Sequence, residues 1–136
     1  LMQGLYRLRE RYEWDLWLDL HQTEFVGSDR NCMIILPAGM DEQPAERQAI
    51  ERGVAEAILQ AWSELPGGRP IMQAEPLNYT GEQLQYFLEV WRDLRQTANF
   101  VTSEIQNNSL LTPPPLQQQL NEVAIVTTVR HMLDAP

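Results

Sequence analysis

Lysine is missing from this 136-residue chain: its ten basic residues are all arginines, scattered along the sequence, against 19 acidic ones. The formal net charge of -9 and the lack of any basic stripe argue against nucleic acids and anionic membranes as partners, because both require a basic surface. Cysteine is almost missing as well. Cys32 stands alone, so no internal disulfide can form, and its place in the apolar run C-M-I-I-L gives it the character of a buried thiol in a reducing compartment such as the cytoplasm. No run of about 18 apolar residues occurs and no charged leader precedes an apolar one, so the sequence shows neither a transmembrane helix nor a signal peptide. Leu1-Met2 does not resemble a natural start, which leaves room for a trimmed, processed or partial chain.

What is present fits one domain: 43% of the residues are hydrophobic, enough at this length for a single core. Residues 2–12 place Met2, Leu5, Tyr6 and Leu8 among charged neighbours as an amphipathic helix would. From Trp14 the pattern changes to a strand. Trp14, Leu16, Leu18 and Leu20 alternate with Asp15, Trp17, Asp19 and His21, and the apolar run ends abruptly at the histidine. The mixed second face predicts a strand buried on both sides near its end, an interior strand carrying His21 at its carboxyl terminus. Asp19 then projects from the same side as His21.

A polar loop over 22–31 leads to Cys32 to Leu36, a continuous apolar run read as a second buried strand and closed by Pro37. Residues 44–65 form the clearest helix, with Ile50, Val54, Ala57, Ile58, Ala61, Trp62 and Leu65 on one face and Pro66-Gly67-Gly68 ending it. A short strand or extended loop fits 71–74. Thr80-Gly81-Glu82-Gln83 has the form of a capping box before a helix bearing Leu84, Phe87, Leu88, Trp91 and Leu94. Residues 100–105 alternate again, a strand with Glu104 near its end. Thr112 with Pro113 reads as an N-cap and first-turn proline, opening a closing helix whose buried face takes Leu116, Leu120, Val123, Ala124, Thr127 and Leu133. The order predicts an α/β domain, a mixed sheet flanked by helices, with no internal repeat.

Two strand ends thus each present one group of catalytic type, His21 and Glu104, the pattern of a composite site. A neutral imidazole ligates zinc well, and a carboxylate beside an open coordination position can take a proton from a metal-activated water. Against this stands the plain alternative that a lone histidine serves structural hydrogen bonding. Residue-level inference reaches no further.

The segment Asp19-Leu20-His21, with an apolar strand before it and another after it, resembles the third-ligand region of the zinc carboxypeptidase superfamily, which includes aspartoacylase-like deacylases. Residues 100–105 with Glu104, followed by Thr112-Pro113 and a closing helix, resemble that family's C-terminal strand with its catalytic glutamate. The resemblance spans about residues 5–133 and only the second half of a family domain. It implies part of a hydrolase-like fold and a metallopeptidase-type enzyme that cleaves a C-terminal peptide bond, or the amide of an N-acyl amino acid. Zinc would be the cofactor, His21 one of its ligands, and Glu104 the general base and later general acid. Tyr79 and Tyr86 lie where the family holds a substrate-binding tyrosine, although packing suits Tyr86.

The family's paired H-x-x-E ligands belong to its first half and are missing upstream of His21. An upstream segment of the same protein or another subunit is therefore required to complete the site, or else the chain is a noncatalytic interaction module that kept the fold. A second arrangement uses the local H-x-x-E, with His21 and Glu24 as the pair and His131 as third ligand. His131 also suits a structural role on the last turn of a helix. A half-domain further predicts exposed apolar surface, on Trp14, Trp17 and the strand at Cys32 to Leu36.

Overall fold

The computed structural model describes residues 4, 7, 8, 11–25, 27–76, 80–86, 88, 89 and 98–134. In chain order the elements are β1 (Leu16–Thr23), β2 (Cys32–Leu36), a short 3-10 turn (Met40–Glu42), α1 (Ala45–Glu64), β3 (Glu75–Pro76), β4 (Asn99–Gln106) and α2 (Pro114–Asp134). Residues 81–86 are also helical. The strands form one mixed four-stranded sheet in the order β1-β4-β2-β3, with β1 parallel to β4, β4 antiparallel to β2, and β2 parallel to β3. The molecule is thus a small α/β domain, as the alternation of strand and helix patterns implied.

Period-two alternation decides which side each strand residue faces. Cys32, Ile34 and Leu36 of β2 and Val101 and Ile105 of β4 point to one side, where they join Val54, Ile58 and Trp62 of α1 and Leu120 and Ala124 of α2 in a single core. Both long helices cover this side. The other side carries Trp17, Asp19 and His21 of β1, Phe100, Thr102 and Glu104 of β4, and Met33 and Ile35 of β2, none of them fully buried.

Trp62 fastens the two helices. Its ring is fully buried and its Nε1 donates to the Leu120 carbonyl at 2.8 Å, satisfying the one polar atom that burying an indole brings inside. The chain leaves α1 through a tight turn at Leu65, and a Cβ added to Gly68 would fall on the Trp62 carbonyl oxygen, so only glycine fits there. Asn31 closes the next junction. Fully buried, it donates from Nδ2 to the Gly67 carbonyl at 2.9 Å and accepts from the Arg69 amide at 2.8 Å, tying the turn after α1 to the start of β2.

Several expectations need correction. β1 is an edge strand among the described residues, and its carboxyl half, Leu20 to Gln22, is exposed, because no further strand lies beyond it to cover that end. The strand at Cys32–Leu36 is buried, as its continuous apolar run implied, and lacks the exposure expected of a half-domain: it lies between β4 and β3, and its core-facing residues are at most 1% accessible. Of the two readings of 71–74 the loop holds, and a two-residue strand follows at Glu75–Pro76, paired with Ile35 and Leu36 of β2. Thr112 does not cap α2: its hydroxyl donates to Gln106 Oε1 at 2.8 Å, and Pro113 supplies the first helical carbonyl, to Gln117. The inner face of α2 runs through Leu120, Ala124 and Thr128, which turns Leu133 outward to 78% exposure. The N-terminal helix over 2–12 lies largely outside the described residues, as do Tyr79, Phe87, Trp91 and Leu94.

Candidate functional site

The parallel register of β1 and β4 sets His21 directly beside Glu104, and Asp19 beside Thr102. All four side chains belong to the sheet side that α1 and α2 do not cover. On the far side of Glu104 the antiparallel register places Met33. Two short-range patterns therefore converge on one row across the sheet, His21, Glu104 and Met33.

The geometry around the imidazole is asymmetric. His21 Nε2 lies 3.0 Å from Asp19 Oδ2, an ion-pair contact, whereas Nδ1 faces Glu104 Oε1 at 4.0 Å, beyond hydrogen-bond reach. A neutral ring carrying its proton on Nε2, the nitrogen nearest the Asp19 carboxylate, would direct the Nδ1 lone pair toward Glu104. His21 is 56% exposed and Glu104 only 14%, so the imidazole forms an accessible wall and the carboxylate the floor.

Glu104 is held in an unsettled state. Its Oε2 is buried and has no hydrogen-bond partner among the described residues. Burial raises its carboxyl above the usual value of 4.5, His21 opposes that shift, and the charge on Asp19 adds to it. Burial likewise raises Asp19 above 3.8, with His21 again pulling the other way. Two carboxyls of raised pKa on either side of one imidazole can hold or pass a proton.

The donor chemistry bears on metal binding. A buried carboxylate oxygen lacking a partner, next to an imidazole nitrogen that Asp19 does not engage, suits one corner of a cation site. Among the described residues no group of three or more His, Cys, Asp or Glu side chains is placed to hold a metal ion. These residues can thus supply a ligand and a base, not a complete ligand set.

The arrangement using the local H-x-x-E fails on geometry. Glu24 is exposed beyond the end of β1, and His131 lies against Gly53 of α1, in the helical layer on the opposite side of the sheet from His21. Tyr86 is 63% exposed on the helical segment 81–86. Cys32 is fully buried, and burial pushes its thiol up to about 12 despite a hydrogen bond from the Arg69 backbone, so it is no nucleophile. Met33 was missed in the sequence, although period two within Cys32–Leu36 already separates Met33 and Ile35 from the core-facing residues. No described helix is long and apolar enough to cross a membrane. No family model, curated protein or solved structure matches this chain.

Proposed function

We propose that this chain is the C-terminal half of a zinc carboxypeptidase-like α/β hydrolase that cleaves a C-terminal peptide bond or the related amide of an N-acyl amino acid. The observation that carries the proposal is the placement of His21 and Glu104 side by side on one open sheet side, with Nδ1 turned away from Asp19 and Oε2 without a hydrogen-bond partner among the described residues. Zinc, when bound, would supply Lewis-acid polarisation of the scissile carbonyl and activation of water.

The roles of this chain's own residues follow from their positions. His21 would donate Nδ1 to the metal, and Asp19 would fix the ring through Nε2. Glu104, whose raised pKa brings it nearer to the range useful for proton transfer, would act as general base on water and then return the proton to the leaving amine. The remaining ligands would come from an upstream segment of the same protein or from another subunit. The buried thiol of Cys32 supports a reducing, cytoplasmic setting.

Zinc analysis of the complete protein tests the ligand role. About one zinc per chain is expected, falling to background in His21→Ala. Unchanged zinc in that variant would remove His21 from the site.

A noncatalytic interaction module is the competing reading, favoured by the incomplete ligand set among the described residues. It predicts no bound zinc in the complete protein.

A further inference from the structure

The helical side of the sheet ends in an open groove beside β1. Leu16, Leu18 and Leu20 of the edge strand form one wall, and Ile125, Val129 and Met132 of α2 the other, around a volume of about 550 Å³. Leu20, Ile125, Val126, Val129 and Leu133 are all exposed, although the opposite side of α2 is buried through Leu120, Ala124 and Thr128. An apolar stretch on the outer face of a helix's last turns, here Ile125, Val126, Val129 and Leu133 beside exposed Glu122 and Arg130, is a surface that a partner can cover. The outer edge of β1 has no strand neighbour among the described residues, so its outward backbone donors and acceptors are available for pairing.

Charge selects the occupant. Glu13 and Asp15 stand at one end of the groove, Glu24 lies just past the other end of β1, and all three are exposed with no ion-pair partner among the described residues. A second copy pairing antiparallel along β1 would bring Glu13 and Asp15 of one chain to Glu24 of the other, like charge against like. In a chain of net charge -9 this orientation is disfavoured.

We infer that the β1 edge and its groove receive an extended partner segment: a strand with apolar side chains at alternate positions and Lys or Arg at its ends. The strand hydrogen-bonds to the β1 backbone, its inward side chains rest on Leu18, Leu20 and Val129, and its basic ends meet Glu13, Asp15 and Glu24. Its other side chains emerge beside Asp19 and His21 on the open side of the sheet. The inference holds whether or not the site binds zinc.

The probe is a fluorescent synthetic peptide of alternating valine and threonine with paired lysines at both ends, titrated with the full chain and followed by anisotropy. The lysine-flanked peptide is expected to bind at least about tenfold tighter than one flanked by glutamates. Its affinity should fall by about tenfold or more in the Leu20→Asn, Val129→Asn double variant, whose fold is checked by circular dichroism. Equal binding of both peptides, no binding of either, or unchanged affinity in the folded double variant overturns the inference. So does a dimer in sedimentation equilibrium that Leu20→Asn dissociates, since the groove would then belong to a second copy.

Discussion

His21 and Glu104 are direct register partners on the parallel strands β1 and β4, with Nδ1 and Oε1 4.0 Å apart, although most of the chain separates them in sequence. Everything proposed for the site rests on that adjacency. The strand pairing alone fixes it, since the side chains are too far apart to hydrogen-bond.

The tautomer of His21 follows from Asp19. At a pH where the ring is neutral, nitrogen-15 NMR should show the proton on Nε2, and Asp19→Ala should give a mixture of the two tautomers. A ring protonated on Nδ1 in the parent would reverse the assignment and place the free lone pair away from Glu104.

The raised carboxyls make a pH prediction with a definite sign. Glu104 and Asp19 keep their protons to higher pH in the folded chain than in the unfolded one. Their contribution to stability is therefore full below the unfolded values, near 4.5 and 3.8, and is lost as pH rises through the raised folded values. Glu104→Gln, which removes the charge and keeps the shape, should melt at higher temperature than the parent at neutral pH. The difference should close as pH falls toward about 4. Lower stability of the variant at neutral pH would contradict the burial cause.

The turn between α1 and β2 should be intolerant of change. Asn31→Ala removes a fully buried amide and leaves the Gly67 carbonyl and the Arg69 amide, in part-buried hydrogen bonds, without that partner, and should cost about 1–3 kcal/mol in denaturant unfolding. Gly68→Ala drives a Cβ onto the Trp62 carbonyl and should cost at least about 2 kcal/mol. Exposed Gly27→Ala provides a contrast, since its cost would come from positive φ alone, nothing lying near its Cβ.

Both strands of the site were legible in the sequence, because alternation of Leu16, Leu18 and Leu20 with Trp17, Asp19 and His21, and of Val101 with Thr102 and Glu104, is a local signal. Local pattern also placed α1 and α2 to within a few residues. What it could not show was order within the sheet. Sequence gives no register between β1 and β4, so the apolar alternation of β1 points to an interior strand where the sheet order among the described residues makes it an edge, while the continuous apolar run of β2 correctly marks a buried strand. Asn31 and Glu51 were invisible for a related reason: a buried polar residue is recognised by its partners, here Gly67, Arg69 and the Phe100 amide, all distant in sequence. Thr112 misled because its hydroxyl had a nearer taker in Gln106 than the helix end it precedes.

The most direct test of the central claim is hydrolysis of a C-terminal peptide bond or an N-acyl amino acid by the complete, zinc-loaded protein and its Glu104→Gln variant, with zinc measured in both. The account predicts a loss of at least about 100-fold in kcat with zinc content retained. Full activity in the zinc-loaded variant would contradict it.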